Sequence, residues 1–134
     1  MIRDFLWDDY PAVVSLWQEV GSGVVPEGEL RSAARHGPDL LLVADTAAAG
    51  IVGVVLGTFD GRRGWVHRLA VHPSHRRAGL ASSLVDEVER RLVALGASRI
   101  NLLVLPDNTS GLQFWQKRGY ITHPDTLCTK DVPI

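Results

Sequence analysis

The chain has one cysteine, Cys128, so no disulfide can form within it. Such usage fits a reducing compartment, and a lone cysteine is more often a small buried hydrophobe than a reactive thiol. No apolar run approaches the roughly 20 residues that cross a bilayer. The opening residues, MIRDFLWDDYP, place acidic side chains where a secretory leader needs an apolar core. The expectation is a cytoplasmic protein that does not enter the membrane. No sign of charge dominates: the formal net charge is −1, which argues against nucleic acid as a partner. Any basic cluster must therefore be explained locally. Repeats, low-complexity tracts and linkers are missing too, so a single domain over residues 1–134 is expected. The two best-known phosphate loops, G-x-x-x-x-G-K-[ST] and G-x-G-x-x-G, do not occur.

What is present is a clear alternation of periods. MIRDF reads as a short strand. Val13, Leu16, Trp17 and Val20 then fall on one helical face, with Asp8, Asp9 and Pro11 at its start and Gly21 and Gly23 beyond its end. EGELRSAARHG fits a second short helix stopped by Gly37 and Pro38. Residues 40–45 and 50–60 read as a hairpin through TAAAG, and WVHRLAV (65–71) as a third strand after the turn DGRRG. A longer helix follows, with Leu80, Leu84, Val85, Val88, Leu92 and Leu95 on one stripe and Gly96 at its close. RINLLVL (99–105) is a strand. Asn108 caps a last helix that ends at Gly119, and YITH and LCTKDV are expected as two final strands. This order predicts an α/β fold with a mixed, mostly antiparallel sheet, about four helices, and strands 65–71 and 99–105 as parallel neighbours across a β-α-β crossover.

The chemistry concentrates in VHPSHRRAGLASSL. A helix starts with backbone N–H groups that have no partner inside it, and its dipole adds partial positive charge there. Together these suit a phosphate. Gly79 lets a ligand approach the backbone, Ala81 keeps the way clear, and Arg76 and Arg77 bring guanidinium forks. Ser82 and Ser83 add hydroxyls in the first turn. The plainer reading is a turn glycine beside a solvated basic corner.

Arg76-x-x-Gly79-x-Ala81 after HRLAV resembles the Q/R-x-x-G-x-G/A signature of the GNAT superfamily of N-acetyltransferases. DNTSGLQFWQKRGY resembles the N-x-x-A-x-x-F-Y-x-x-x-G-F segment of the same family, with Asn108, Phe114, Gly119 and Tyr120 in register. The whole chain is most similar to its small bacterial YpeA-type members. The resemblance implies an acetyl-CoA-dependent N-acetyltransferase whose two central parallel strands splay apart to admit the pantetheine arm. Backbone groups of Leu69, Ala70 and Val71 would bond the arm. The pyrophosphate would rest on the run Arg76, Arg77, Ala78, Gly79, Leu80, Ala81 and Ser82, and Asn108 would contact the cofactor from the other side. The implied partner is a primary amine on a small molecule or peptide, and family members often form homodimers.

The chain departs from the family at the acid and the base. The frequent tyrosine four residues before the glycine is Trp115, and neither WVHRLAV nor INLLVLP holds a carboxylate. By strand alternation His67 shares a face with Trp65 and Leu69, and its imidazole suits a general base; a half-exposed structural histidine is the alternative. Tyr120 is the candidate acid, or else a packing aromatic. His72 and His75 lack a third ligand nearby, so no metal is expected. Trp7, Trp17, Trp65 and Trp115 read as core or pocket wall. Glu27 and Glu29 would attract a cationic amine or simply serve as helix-start acids. The missing tyrosine and glutamate leave a second function open: an acyl-CoA-binding regulatory module without turnover.

Overall fold

The computed structural model describes residues 1–133; the side chain of Arg77 lies outside the described residues. The backbone forms two compact units, Met1–Leu102 and the remainder from Leu103. In the first unit the order is β1 (Ile2–Asp4), α1 (Tyr10–Glu19), α2 (Glu27–His36), β2 (Leu41–Thr46), β3 (Gly50–Phe59), β4 (Gly64–Val71), α3 (Leu80–Ala94) and β5 (Ile100–Asn101). The five strands lie in chain order, antiparallel except for the last pair. That pair, β4 and β5, is parallel, as the crossover through α3 predicts.

Each face of the sheet buries one set of periodic residues. On one side Val13, Leu16 and Trp17 of α1 and Leu30 of α2 meet Val54, Leu56 and Ala70. On the other, α3 buries Leu84, Val85, Val88 and Leu92. Full burial of such a side chain stabilises by about 1.5–3 kcal/mol. Three strand glycines let α3 come down onto the sheet. A Cβ on Gly57 would stand 2.7 Å from Val88 Cγ2, one on Gly53 2.9 Å from Leu84 Cδ1, and one on Gly64 3.1 Å from Leu92 Cδ1. These glycines serve close approach, not turns.

Polar anchors hold the edges. Arg3 grips Asp9 with both terminal nitrogens (2.8 and 3.0 Å) and reaches Asp45 with Nε at 3.0 Å, joining β1, the start of α1 and β2. That fork holds the Asp9 carboxyl below the usual carboxylate range. Asp60 Oδ1 accepts from the N–H groups of Arg62 and Arg63 at 2.8 and 2.6 Å, which builds the turn into β4.

In the second unit Asn108 caps α4 (Thr109–Lys117), accepting from the Gly111 N–H at 3.0 Å. Gly119, at φ 96°, follows its end. Trp115 is buried and meets Phe114 and Tyr120 edge-on at 5.0 and 5.1 Å between ring centroids.

Four expectations are corrected. YITH and LCTKDV form no strands: residues 121–133 are all exposed, so no buried face sets a register, and Pro124 and Pro133 remove ladder donors. β5 spans two residues instead of seven, because its pairing with β4 stops at Asn101. Leu95 is exposed, since the helix ends at Ala94 before its stripe turns inward again. Cys128 is exposed rather than buried.

Candidate active site

β4 changes character along its length. Gly64 and Trp65 pair with Phe59 and Thr58 of β3 on one side and with Ile100 and Asn101 of β5 on the other. After Trp65 no described strand pairs with that second edge. The register then slips: Leu56 faces His67, yet Val54 faces Ala70, so Arg68 and Leu69 together oppose Val55. This is a β-bulge, and Arg68 takes a positive φ of 57°, a conformation rare for a side-chain-bearing residue. The bulge corrects the alternation read from sequence. His67 shares its face with Ala70, not with Leu69, because the extra residue inverts the parity.

The bulge also sorts the three residues expected to bond the pantetheine arm. The His72 N–H donates to Val52 O at 2.8 Å, so the next exchanging pair in an antiparallel ladder is Val54 with Ala70. In that register Ala70 turns its backbone groups toward β3. Val71 turns its own groups to the open edge, where its carbonyl accepts from Arg76 Nε at 3.2 Å. Leu69 lies within the bulge itself.

Arg68 fastens this irregular segment to the loop between α1 and α2. Its Nη1 donates to Gly23 O at 2.7 Å and to Ser22 Oγ at 3.3 Å. A positive φ costs about 1–2 kcal/mol in a non-glycine residue, and two side-chain bonds of about 1 kcal/mol each offset it.

Beyond β4 a 3-10 segment (Pro73–Ala78) carries Arg76, Arg77 and Ala78 to Gly79, which stands at φ 76° as the residue before α3. Among the described residues no side chain caps α3, and a Cβ on Gly79 would meet nothing within 4 Å apart from its chain neighbours. Space is therefore open at Gly79, where the helix-start donors of α3 begin. Ser83 points its hydrogen-bonding inward: its hydroxyl donates to Gly79 O at 3.1 Å. Arg76 uses Nε on Val71, which leaves its bidentate end for other partners. An extended, anionic ligand fits an open strand edge leading to an open helix start. Nearby, Ser74 N–H donates to His72 Nδ1 at 3.2 Å and His72 Nε2 faces Glu19 at 2.9 Å, tying this loop to the end of α1. Among the described residues no group of three or more His, Cys, Asp or Glu is placed for a metal.

His67 is half-buried and stacked on Trp65, with 6.3 Å between ring centroids. Its Nε2 lies 2.9 Å from Thr58 Oγ1. Burial, and secondarily the positive Arg68, hold its pKa below the ordinary imidazole value. The ring is consequently neutral at neutral pH, the form a base requires. Asn108 and Tyr120 belong to the second unit, where Asn108 Oδ1 caps α4 and Tyr120 packs on Trp115.

With this geometry in place, likeness to known proteins decides the family. The model of the acetyltransferase (GNAT) family matches residues 1–120. The chain belongs to the GNAT acetyltransferase family. An acetyltransferase of Sodalis glossinidius is 37% identical over 122 residues, covering 89% of this chain and 85% of the relative. Among solved structures, Ard1 from Thermoplasma volcanium matches with a TM-score of 0.82 at 23% identity, over 90% of this chain and 82% of that one. The NatB acetyltransferase complex bound to CoA and MES matches with a TM-score of 0.80 at 21% identity, over 92% and 84%. At such identities the structures speak for the fold, and the close relatives for an acyltransferase.

Two residues of this GNAT acetyltransferase escaped the sequence reading. Arg68 looks like an ordinary strand residue in HRLAV, and nothing local announces its bulge. Thr58 meets His67 only through the β3–β4 register. Its place opposite Trp65 in a hairpin was the available signal.

Proposed function

We propose that the protein transfers the acetyl group of acetyl-CoA directly to a primary amine. The observation that carries this reading is the unpaired edge of β4 beyond Trp65, running to an uncapped helix start with open space over Gly79. Acetyl-CoA supplies the thioester. Val71, and Leu69 at the bulge, bond the pantetheine arm along that edge. The donors of Gly79 to Ser82, with Arg76 and Arg77, hold the pyrophosphate. Asn108 keeps the cofactor role that the family motif implies for it.

The amine nitrogen attacks the carbonyl carbon, the new C–N bond forms as the C–S bond breaks, and thiolate leaves. A thiol pKa of about 8.5 makes that departure easy. His67 takes the proton that the nitrogen sheds, and Tyr120 is the side-chain acid for the thiolate. Holding both reactants together supplies the remainder of the acceleration. The lone Cys128 is in keeping with action in the cytoplasm.

The test is calorimetric titration with acetyl-CoA, followed by thiol release with a panel of amines that includes N-terminal peptides. Binding with turnover is expected. No binding heat overturns the reading, and binding with silence across the panel replaces it with an acyl-CoA-binding regulatory module.

A further inference from the structure

A cavity of about 370 Å³ lies in the first unit between α2 and the end of β3. Glu29, Ser32 and His36 line it from one face of α2, and Thr58 and Phe59 from β3. Its polar groups mostly accept hydrogen bonds. Glu29 brings a carboxylate. His36 Nδ1 is 2.9 Å from Ser32 O, and a carbonyl cannot donate; Nδ1 therefore donates there, which turns Nε2 away from that bond. Ser32 and Thr58 add hydroxyls. Glu27, two residues away, is differently employed: it pairs with Arg31 at 3.1 Å, and that guanidinium lies over the Trp7 ring at 4.0 Å. Of the two helix-start acids, only Glu29 borders the cavity.

Thr58 belongs to two settings. It lines the cavity, and its hydroxyl lies 2.9 Å from His67 Nε2. A wall rich in acceptors, ending at the hydroxyl that touches the base, suits a cationic amine. The nitrogen that reacts must be neutral to attack. A fixed carboxylate therefore favours acceptors that carry a second nitrogen still protonated.

We propose that this cavity receives the amine acceptor, and that the acceptor is a diamine-type cation whose second ammonium is held by Glu29 while its reacting nitrogen lies at Thr58. The inference rests on the transfer reaction proposed above. Thr58 is then a catalytic residue, since its hydroxyl touches the reacting nitrogen. Its hydroxyl takes the proton shed by the nitrogen as it passes its own to His67 Nε2, so no proton is lost or gained.

The experiment compares 1,4-diaminobutane with butylamine at saturating acetyl-CoA, reading thiol release, and titrates each amine into the free protein by NMR. The diamine is expected to give at least a tenfold higher kcat/KM and to move the His36 and Thr58 resonances. E29Q should bring the ratio of the two substrates to about unity and abolish the diamine-induced shifts, whereas E27Q should change neither. Thr58→Val should lower the rate and flatten its fall below neutral pH, because His67 can no longer receive the proton, and Thr58→Ser should restore the profile. Turnover of other amines with no preference for a second charge, or a ratio untouched by E29Q, sinks this inference and leaves the acetyltransferase reading standing. Silence with every amine removes both.

Discussion

The start of β4, Gly64 and Trp65, is paired with both β3 and β5, with Leu92 resting on Gly64, whereas the far half, Arg68 to Val71, has β3 alone, a bulge and a positive φ. One strand thus carries two physical regimes. Where both edges are bonded and a helix sits on glycines, substitutions act on stability. Where one edge is open, they act on ligands. The join falls at His67, which is half-buried, bonded to Thr58 and adjacent to the bulge. A base at such a join has a firm floor and an approach from the open side.

The comparison breaks if changes on the packed side alter binding as much as stability. Gly57→Val carries the largest expected effect. A Cβ there already stands 2.7 Å from Val88 Cγ2, so overpacking should cost about 3 kcal/mol in urea denaturation. The folded fraction should keep its affinity for acetyl-CoA.

Next comes His67→Gln, expected to lower kcat about 100-fold with little change in the acetyl-CoA Kd. The wild-type rate should fall only below pH of about 6.5, because burial and Arg68 depress the imidazole pKa, and the variant should lose that limb. The same depression has a sign for stability. Between the unfolded value near 6.5 and the lower folded one, the unfolded chain binds the proton and the fold does not. Acidification through that window should therefore lower the melting temperature of the wild type more than that of the variant.

Arg76→Ala should weaken acetyl-CoA about tenfold, the magnitude of one charge-assisted contact, and leave thermal stability within about 0.5 kcal/mol. The smallest effect is expected of Arg68→Gly. Relief of the positive φ and loss of the bonds to Gly23 and Ser22 nearly cancel in stability. The untethered loop between α1 and α2 should instead raise the acceptor KM a few-fold. A large stability loss with unchanged KM would show that the bulge belongs to the packed regime.

Residues whose role depends on near neighbours were legible from sequence. The spacing of Val13, Leu16 and Trp17 marked α1, Asn108 and Gly119 bracketed α4, and Arg76 with Gly79 marked the start of α3. The site was half legible for the same reason. Its anion-binding end is local to one turn, but its base depends on partners brought from β3. Thr58 and the glycines under α3 matter through tertiary approach, which a one-dimensional pattern does not encode. The bulge is the sharpest instance, since one extra residue inverted the face of Leu69 relative to His67. The two final strands failed for the converse reason: residues of strand type were present, yet residues 121–133 are all exposed and bury no face.

The glycines beneath α3 have a mechanical corollary. A helix resting on bare backbone, with Leu84, Val88 and Leu92 lodged where side chains would otherwise intervene, has almost no travel along its axis. Its leading turn therefore keeps a constant height above the free margin of β4. Within the first unit, the loop on the other side of the sheet is held far more lightly, by two hydrogen bonds from one arginine.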